Sequence, residues 1–326
     1  MTRIALIFVL GFCLASSTTA GAQSWPTRPV TMVVPFAAGG PMDTVGRIMA
    51  AALADTIGQS VIVENVGGGG GMTGSARVAK AAPDGSQFVL GNVGTHAVAQ
   101  TLSKNPPYNV TQDFAPVGLF ADLSLVLVTR KDLPAGNLQE FIAYAKANQD
   151  KMQFGSASAG SATHLGCALL NAAAGIEVTH VPYRGGAPAM QDMMAGQFDI
   201  MCTATGSFLP LVQAGKIKAY AVTQKTRLAI APDIPTVDEA GFPGFHAGVW
   251  NAMWTSKGTP KPLIARLQDS IAKALNDPPL RQRLIDMGLD LPTPEQMPPE
   301  YLAKLQKSEA DLWWPITKKA LADPPK

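Results

Sequence analysis

Two hydrophobic periods take turns along this chain. Short β-branched or aromatic runs at 30–35, 61–65 and 87–91 read as strands, and 43–57 and 72–81 between them carry the spacing of amphipathic helices. Pro83-Asp84-Gly85 is a turn that stops the second helix. The alternation resumes with strand-like runs at 116–120, 123–129, 152–155, 178–182, 199–203 and 217–223. Helical patterns at 138–148, 162–174, 187–195 and 206–213 separate them. Residues 231–245, rich in Pro and Gly, read as a return linker, followed by a strand at 248–255 and helices at 262–276, 279–287 and 298–318. Strands alternating with helices predict an α/β fold in which mostly parallel sheets are covered by helices.

The first residues stand outside that pattern. Arg3, an apolar run over 4–15 and the small-x-small Ala20-Gly21-Ala22 form an export signal, with cleavage expected after Ala22. The run is short for a membrane span, and Cys13 follows Phe12 where a lipoprotein signal has a small residue. About 300 mature residues exceed one core, so two lobes are expected. The division is 1–22 signal peptide, 23–122 plus 247–326 as the first lobe, and 123–246 as the second. A chain that leaves one lobe, builds another and returns makes two crossings, which suits a hinge.

Net charge is +2, with no long run of one sign, so neither nucleic acid nor an anionic membrane is implied as a partner. Once Cys13 leaves with the signal, Cys167 and Cys202 remain. A disulfide between them and two buried thiols are both open.

Candidate chemistry gathers where strands turn into helices. Residues 33–44 run from a strand through Phe36, Ala37, Ala38, Gly39 and Gly40 to a helix start, which leaves backbone N–H groups at the positive end of a helix dipole. That arrangement suits a carboxylate or phosphate. Asp43, near the helix start, is expected to cap the helix or to orient the loop's N–H groups. A second loop at 155–163, with Ser156, Ser158, Gly160, Ser161 and Thr163, has the same surroundings and adds hydroxyls. Two such loops facing each other at strand ends would clamp a ligand between lobes; a simple Ser/Thr helix cap is the alternative for the second. Gly91-Asn92-Val93-Gly94-Thr95-His96 could line the same cleft, with Thr95 and the backbone ranked above His96. Tyr183-Arg184-Gly185-Gly186 repeats the geometry, and Arg184 is either a partner for a second carboxylate or a salt-bridge residue.

Other chemistries fit less well. The glycines at 67–71 and 74 match G-x-G-x-x-G only because five are consecutive, no acidic residue stands about 20 positions on, and a flexible or tightly packed turn is the better reading. Ser156-Ala157-Ser158-Ala159-Gly160 lacks the first Gly of G-x-S-x-G, although any of His96, His164, His180 and His246 could meet a loop serine in space. His164-x-x-Cys167 has no second pair with zinc spacing, so no metal is expected. No cofactor is called for. Phe208, Trp250 and Trp254 read as core residues before they read as ligand-stacking ones.

A series of fragments then resembles one family in order. These are Trp25-Pro26-Thr27-Arg28-Pro29-Val30, the 35–43 loop, Val63-Glu64-Asn65, Ala82-Pro83-Asp84-Gly85, His180-Val181-Pro182-Tyr183-Arg184-Gly185, Ala214-Gly215-Lys216, Pro235-Thr236 with Glu239-Ala240-Gly241, and Gly258-Thr259-Pro260. Together they are similar to the Bug-type periplasmic receptors, the substrate-binding components of tripartite tricarboxylate transporters. The resemblance implies a two-lobed, type II-like periplasmic binding protein, a monomer that closes on an organic carboxylate and presents it to a membrane permease, without catalysis. It assigns ligand contacts to Phe36, Ala38, Gly39, Gly40 and Asp43 and to Ser156, Ser158, Gly160, Ser161 and Thr163; apart from the resemblance, the loop reading adds Thr95, and Tyr183 is a candidate that could stack on an aromatic ligand or pack in the core. One departure stands out: family members often carry Arg-Pro-Gly-Ala-Gly-Gly after Glu-Asn, where Val66-Gly67-Gly68 stands here. A secreted serine hydrolase and a sensory module for a protein partner are the alternatives.

Overall fold

The computed structural model describes residues 25–101, 105–159, 161–183, 185–228, 230–243 and 248–322. The export signal at 1–22, Gly160, Arg184 and His246 lie outside them.

The first unit is a β-α-β series with parallel strands. It comprises β1 (Val30–Val34), α1 (Pro41–Ile57), β2 (Val61–Asn65), α2 (Met72–Ala79) and β3 (Gln87–Asn92). Side chains of β1 go to both faces. Val30, Met32 and Val34 join one core and Val33 joins another, which is why the strand reads as an unbroken apolar run. On the first face α1 supplies Val45, Met49 and Leu53, and α7 (Lys261–Asn276) supplies Leu267, Ile271 and Leu275. Leu53 is fully buried there, and cutting it to alanine costs about 2–5 kcal/mol. Gly58, with φ +78°, ends α1 in the left-handed conformation open to glycine.

From β3 the chain reaches β4 (Phe114–Arg130), α3 (Leu138–Asn148), β5 (Gln153–Ser156), α4 (Ala162–Ala174), β6 (Thr179–Pro182), α5 (Gly186–Met194), β7 (Ile200–Ala204), α6 (Thr205–Gln213) and β8 (Ile217–Val222). It returns through β9 (Gly248–Ser256), α7, α8 (Pro278–Asp286), β10 (Leu289–Asp290) and α9 (Pro299–Ala322). The runs at 116–120 and 123–129, expected as separate strands, are one. Ala121 and Asp122, between the two runs, pair with Asn251 and Trp250 of β9, just after register shifts between Pro116 and Gly118 and between Leu119 and Ala121.

The sheets are mixed rather than mostly parallel. In the first lobe β2-β1-β3 run parallel, but β9 pairs antiparallel with β3 and β4, and β10 antiparallel with β4. In the second, β6-β5-β7 run parallel while β7 and β8 both pair antiparallel with β4. The reason is topological: β4 serves both sheets, pairing with β9 as far as Ser124 and with β7 and β8 from Leu125 and Val126. Gly248, where β9 begins, stands opposite Ser124. The outgoing strand and the start of the returning one therefore lie side by side.

One apolar core runs across both sheets, from Val33 and Val89 through Leu125 and Leu127 to Phe154, Leu165 and Tyr220. A separate one, with Val126, Met190, Met193, Phe198 and Phe208, backs the second sheet. Cys167 of α4 and Cys202 of β7 are joined by a disulfide, their Cα atoms 5.4 Å apart. It ties α4 to the sheet beside Gly166, where a methyl group would meet Leu125.

Candidate functional site

Three strand ends meet at one edge of the first lobe. Parallel pairing places Asn65, the last residue of β2, beside Val34, so the chain after β1 and the chain after β2 emerge together. Asn65 Nδ2 donates to the Phe36 carbonyl at 3.1 Å and to Asp43 Oδ1 at 2.9 Å. Asp43 Oδ2 accepts from the Gly39 N–H at 2.8 Å and from Arg47 Nε at 3.1 Å, and Arg47 Nη2 closes the ring on Asn65 Oδ1 at 3.1 Å. Burial alone would raise the Asp43 pKa, but the Gly39, Arg47 and Asn65 hydrogen bonds outweigh it and hold the carboxyl below its usual range. Asp43 is thus not the cap of α1. Gly40 is, and Asp43 reaches back to hold the loop. The cost is that the Gly39 N–H is occupied. Among the described residues the N–H groups of Ala38 and Met42 have no partner, and Ala38 is exposed.

The glycine run at 67–71 is packed against this loop. A methyl group on Gly71, whose φ is +94°, would lie 2.5 Å from the Thr95 methyl and 3.1 Å from the Phe36 ring, and one on Gly74 2.9 Å from Pro35 Cα. Only glycine permits those approaches. Thr95 stands behind the loop, fully buried, its hydroxyl bonded within the Asn92 turn and 2.8 Å from His96 Nδ1. His96 is a core residue: its ring stacks on Trp254 at 3.9 Å, and burial pushes its pKa down to about 3. Phe208, Trp250 and Trp254 are buried as well.

The second loop is held by hydroxyls. Ser161 caps α4, its Oγ accepting from His164 N and from Ser158 N, both at 3.3 Å. Thr163 Oγ1 accepts from Ala157 N at 2.9 Å and lies 2.9 Å from Ser161 Oγ. Ser156, fully buried, donates from Oγ to the Ser158 carbonyl at 3.0 Å and lies 2.7 Å from His180 Nε2. The rings of His180, His164 and Phe154 cluster beneath, with 4.0 Å between the two imidazoles and 4.8 Å from Phe154 to His180. Burial depresses both histidines, to about 4 for His164 and, with His164 adding its own repulsion, to about 3 for His180. Three of the expected ligand hydroxyls, those of Ser156, Ser161 and Thr163, are therefore bonded within the loop. The N–H groups of Ala159, Ala162 and Thr163 have no partner among the described residues. Tyr183 ties the neighbouring strand end in place, its N–H donating to the Ser156 carbonyl at 2.9 Å and its hydroxyl to Asp192 at 2.8 Å.

The two loops come together through the glycine run. A methyl group on Gly70 would lie 3.2 Å from the Ala159 carbonyl oxygen, so first-lobe backbone touches the second-lobe loop. Sequence reading missed Asn65, Arg47, Gly70 and Gly71 as parts of this site. The available signal was the equal length of β1 and β2, which brings their ends level. A groove lined by Asp43, Thr44, Arg47, Ile48, Ala51 and Arg283 includes no second-loop residue and is not this site. Cys167 is committed to its disulfide, and no group of three potential metal ligands occurs among the described residues.

Residues 45–320 match the family described as tripartite tricarboxylate transporter family receptor. The chain belongs to that family. BugT of Bordetella pertussis is 33% identical over 302 residues, 91% of this chain and 92% of BugT. The structure of MatC from Rhodopseudomonas palustris with bound malate is similar at a TM-score of 0.82 and 40% identity, covering 90% of this chain and 99% of that one. A second R. palustris protein, with adipate, reaches 0.83 at 31% identity, covering 91% and 98%. This receptor is thus a Bug-type periplasmic solute-binding protein with the two-lobed fold of its relatives. Among its described residues no helix is long and apolar enough to cross a membrane.

Proposed function

We propose that this receptor binds an organic carboxylate between its lobes and delivers it to the permease subunits of a tripartite transporter. The observation that carries the reading is the pair of helix N-terminal loops bridged by the glycine run, which packs on Phe36 through Gly71 and meets Ala159 at Gly70, each loop with N–H groups unpartnered among the described residues. Malate and adipate in the related structures support a dicarboxylate, and tricarboxylates and aromatic carboxylates belong in the same test. The contacts are the backbone of Ala38 to Met42 on one side and of Ala159 to Thr163 on the other, with Phe36 as a wall. We assign 23–122 plus 247–326 and 123–246 as the lobes, hinged where Ser124 meets Gly248; the shared pairing of β4 supports that division. Export by the 1–22 signal and action in the periplasm as a monomer complete the reading.

Catalysis is not part of it. Ser156 and His180 are within hydrogen-bond distance, but the serine hydroxyl is fully buried and donates to a loop carbonyl, and the causes that shift His180 include no carboxylate. Calorimetry of the mature chain against mono-, di-, tri- and aromatic carboxylates is expected to give a Kd of about 10 μM or tighter for at least one. No heat and no thermal shift with any of them, or ester turnover with labelling of Ser156 by a serine-reactive probe, would overturn the reading. Gly39→Val, at φ +80°, is expected to abolish binding with the fold retained.

A further inference from the structure

We propose that His180 is a positioning residue for the anion site: acting through Ser156, it aims the Ala159 N–H at the ligand's carboxylate. This rests on the reading of the second loop as a carboxylate site.

The argument is one of proton counting and peptide planarity. A serine hydroxyl has one proton to give, and that of Ser156 lies 3.0 Å from the Ser158 carbonyl, so His180 Nε2, 2.7 Å away, is the donor to Ser156 Oγ. Nε2 therefore carries the imidazole's hydrogen in the neutral ring. The relay runs from Nε2–H to Ser156 Oγ and from Oγ–H to the Ser158 oxygen, which also accepts the Ser161 N–H at 3.1 Å. In a trans peptide the carbonyl and the following N–H point in opposite directions. Anchoring the Ser158 carbonyl inward turns the Ala159 N–H outward, and Ala159 is exposed with that N–H unpartnered among the described residues.

His180 is itself firmly placed. Strand β6 pairs it with Phe154 of β5, and its ring packs on Phe154 and on His164 in the first turn of α4. The imidazole thus links the strand end, the loop and the helix that together make the site. Ser156, the link between the imidazole and the loop carbonyl, is fully buried, so its role is to set geometry and not to touch the ligand.

The test separates the hydrogen bond from the ring. His180→Phe keeps an aromatic ring in the cluster and removes the donor; His180→Gln keeps an N–H near the Nε2 position and removes the ring. Titration with malate and with adipate is expected to show His180→Phe and Ser156→Ala each weakening binding about tenfold, the double variant no weaker than either, and His180→Gln within about threefold of the parent. In ligand-free protein the Ala159 amide resonance is expected to shift or broaden in His180→Phe and to return in His180→Gln. Equal losses in the two His180 variants, additive losses in the double variant, or an unmoved Ala159 amide in His180→Phe would overturn the inference. Should the parent bind no carboxylate, the functional reading fails, while the Ala159 amide still decides whether His180 orients that peptide.

Discussion

The two loops proposed to hold the carboxylate are built with opposite chemistry. The first is made of Ala and Gly, caps its helix with Gly40, and is held from outside by the charged ring of Asp43, Arg47 and Asn65. The second caps its helix with Ser161 and is held from inside by its own hydroxyls and by His180. In the first, a carboxylate takes an N–H out of service and sets a negative charge beside the proposed anion site; in the second, the Ser156 hydroxyl takes a carbonyl out of service, and three N–H groups have no partner among the described residues. The lesson is that the side chains with obvious chemistry serve the backbone. By donor count the proposed carboxylate site draws more on the second loop, while the first supplies shape through Phe36 and Gly71.

The sharpest way to break that contrast is at Asp43. Asp43→Ala leaves the Gly39 N–H and Arg47 without their partner, and should cost about 2–3 kcal/mol of stability and weaken binding more than tenfold; Arg47 is largely exposed, which keeps the figure below that of a fully buried pair. Asp43→Asn retains an oxygen for Gly39 and removes the negative charge, so affinity for malate or adipate should be no weaker than the parent's. Chemical denaturation and calorimetry on the pair read both. A weaker Asn variant with an intact fold would mean that the charge itself matters.

Acid should separate the loops next. His164 and His180 have folded pKa values below the ordinary 6.5, so opening the second loop lets them take up protons. Their contribution is fully present above pH 6.5 and is lost as pH falls toward about 4. The first loop's Asp43, depressed below 3.8, loses its contribution only as pH falls below that value. Amide exchange of Ala157 and Ser158 should therefore grow easier as pH falls from 6.5 to 4.5, while that of Gly39 changes little. Equal responses at the two loops would dissolve the distinction.

The smallest effect is expected at the caps. Ser161→Ala should cost about 1 kcal/mol, because its oxygen serves both His164 N and Ser158 N. Gly40→Ala, at φ −80° with the nearest atom 3.4 Å from its added methyl, should cost about 0.5 kcal/mol, measured by thermal melts.

Local chemistry along the chain was enough to predict most elements. Helix α3 occupies 138–148 and α4 162–174 as their periodicity implies, and the loops after β1 and β5 open helices as their small residues predict. Those features depend on residues within a few positions of each other, where propensity, capping and backbone freedom act. The rest depends on partners brought close by sheet register. Asn65 meets Asp43 because β2 lies level with β1, Ser156 meets His180 because β6 lies beside β5, and Gly70 meets Ala159 because two lobes close on each other. The 116–120 and 123–129 runs became one strand for the same reason: β9 pairs across the residues between them. Period and composition determined where a helix-opening loop of small residues stands; only tertiary pairing decided which of its donors are taken, because a hydrogen bond already made cannot be seen until its distant partner is in place.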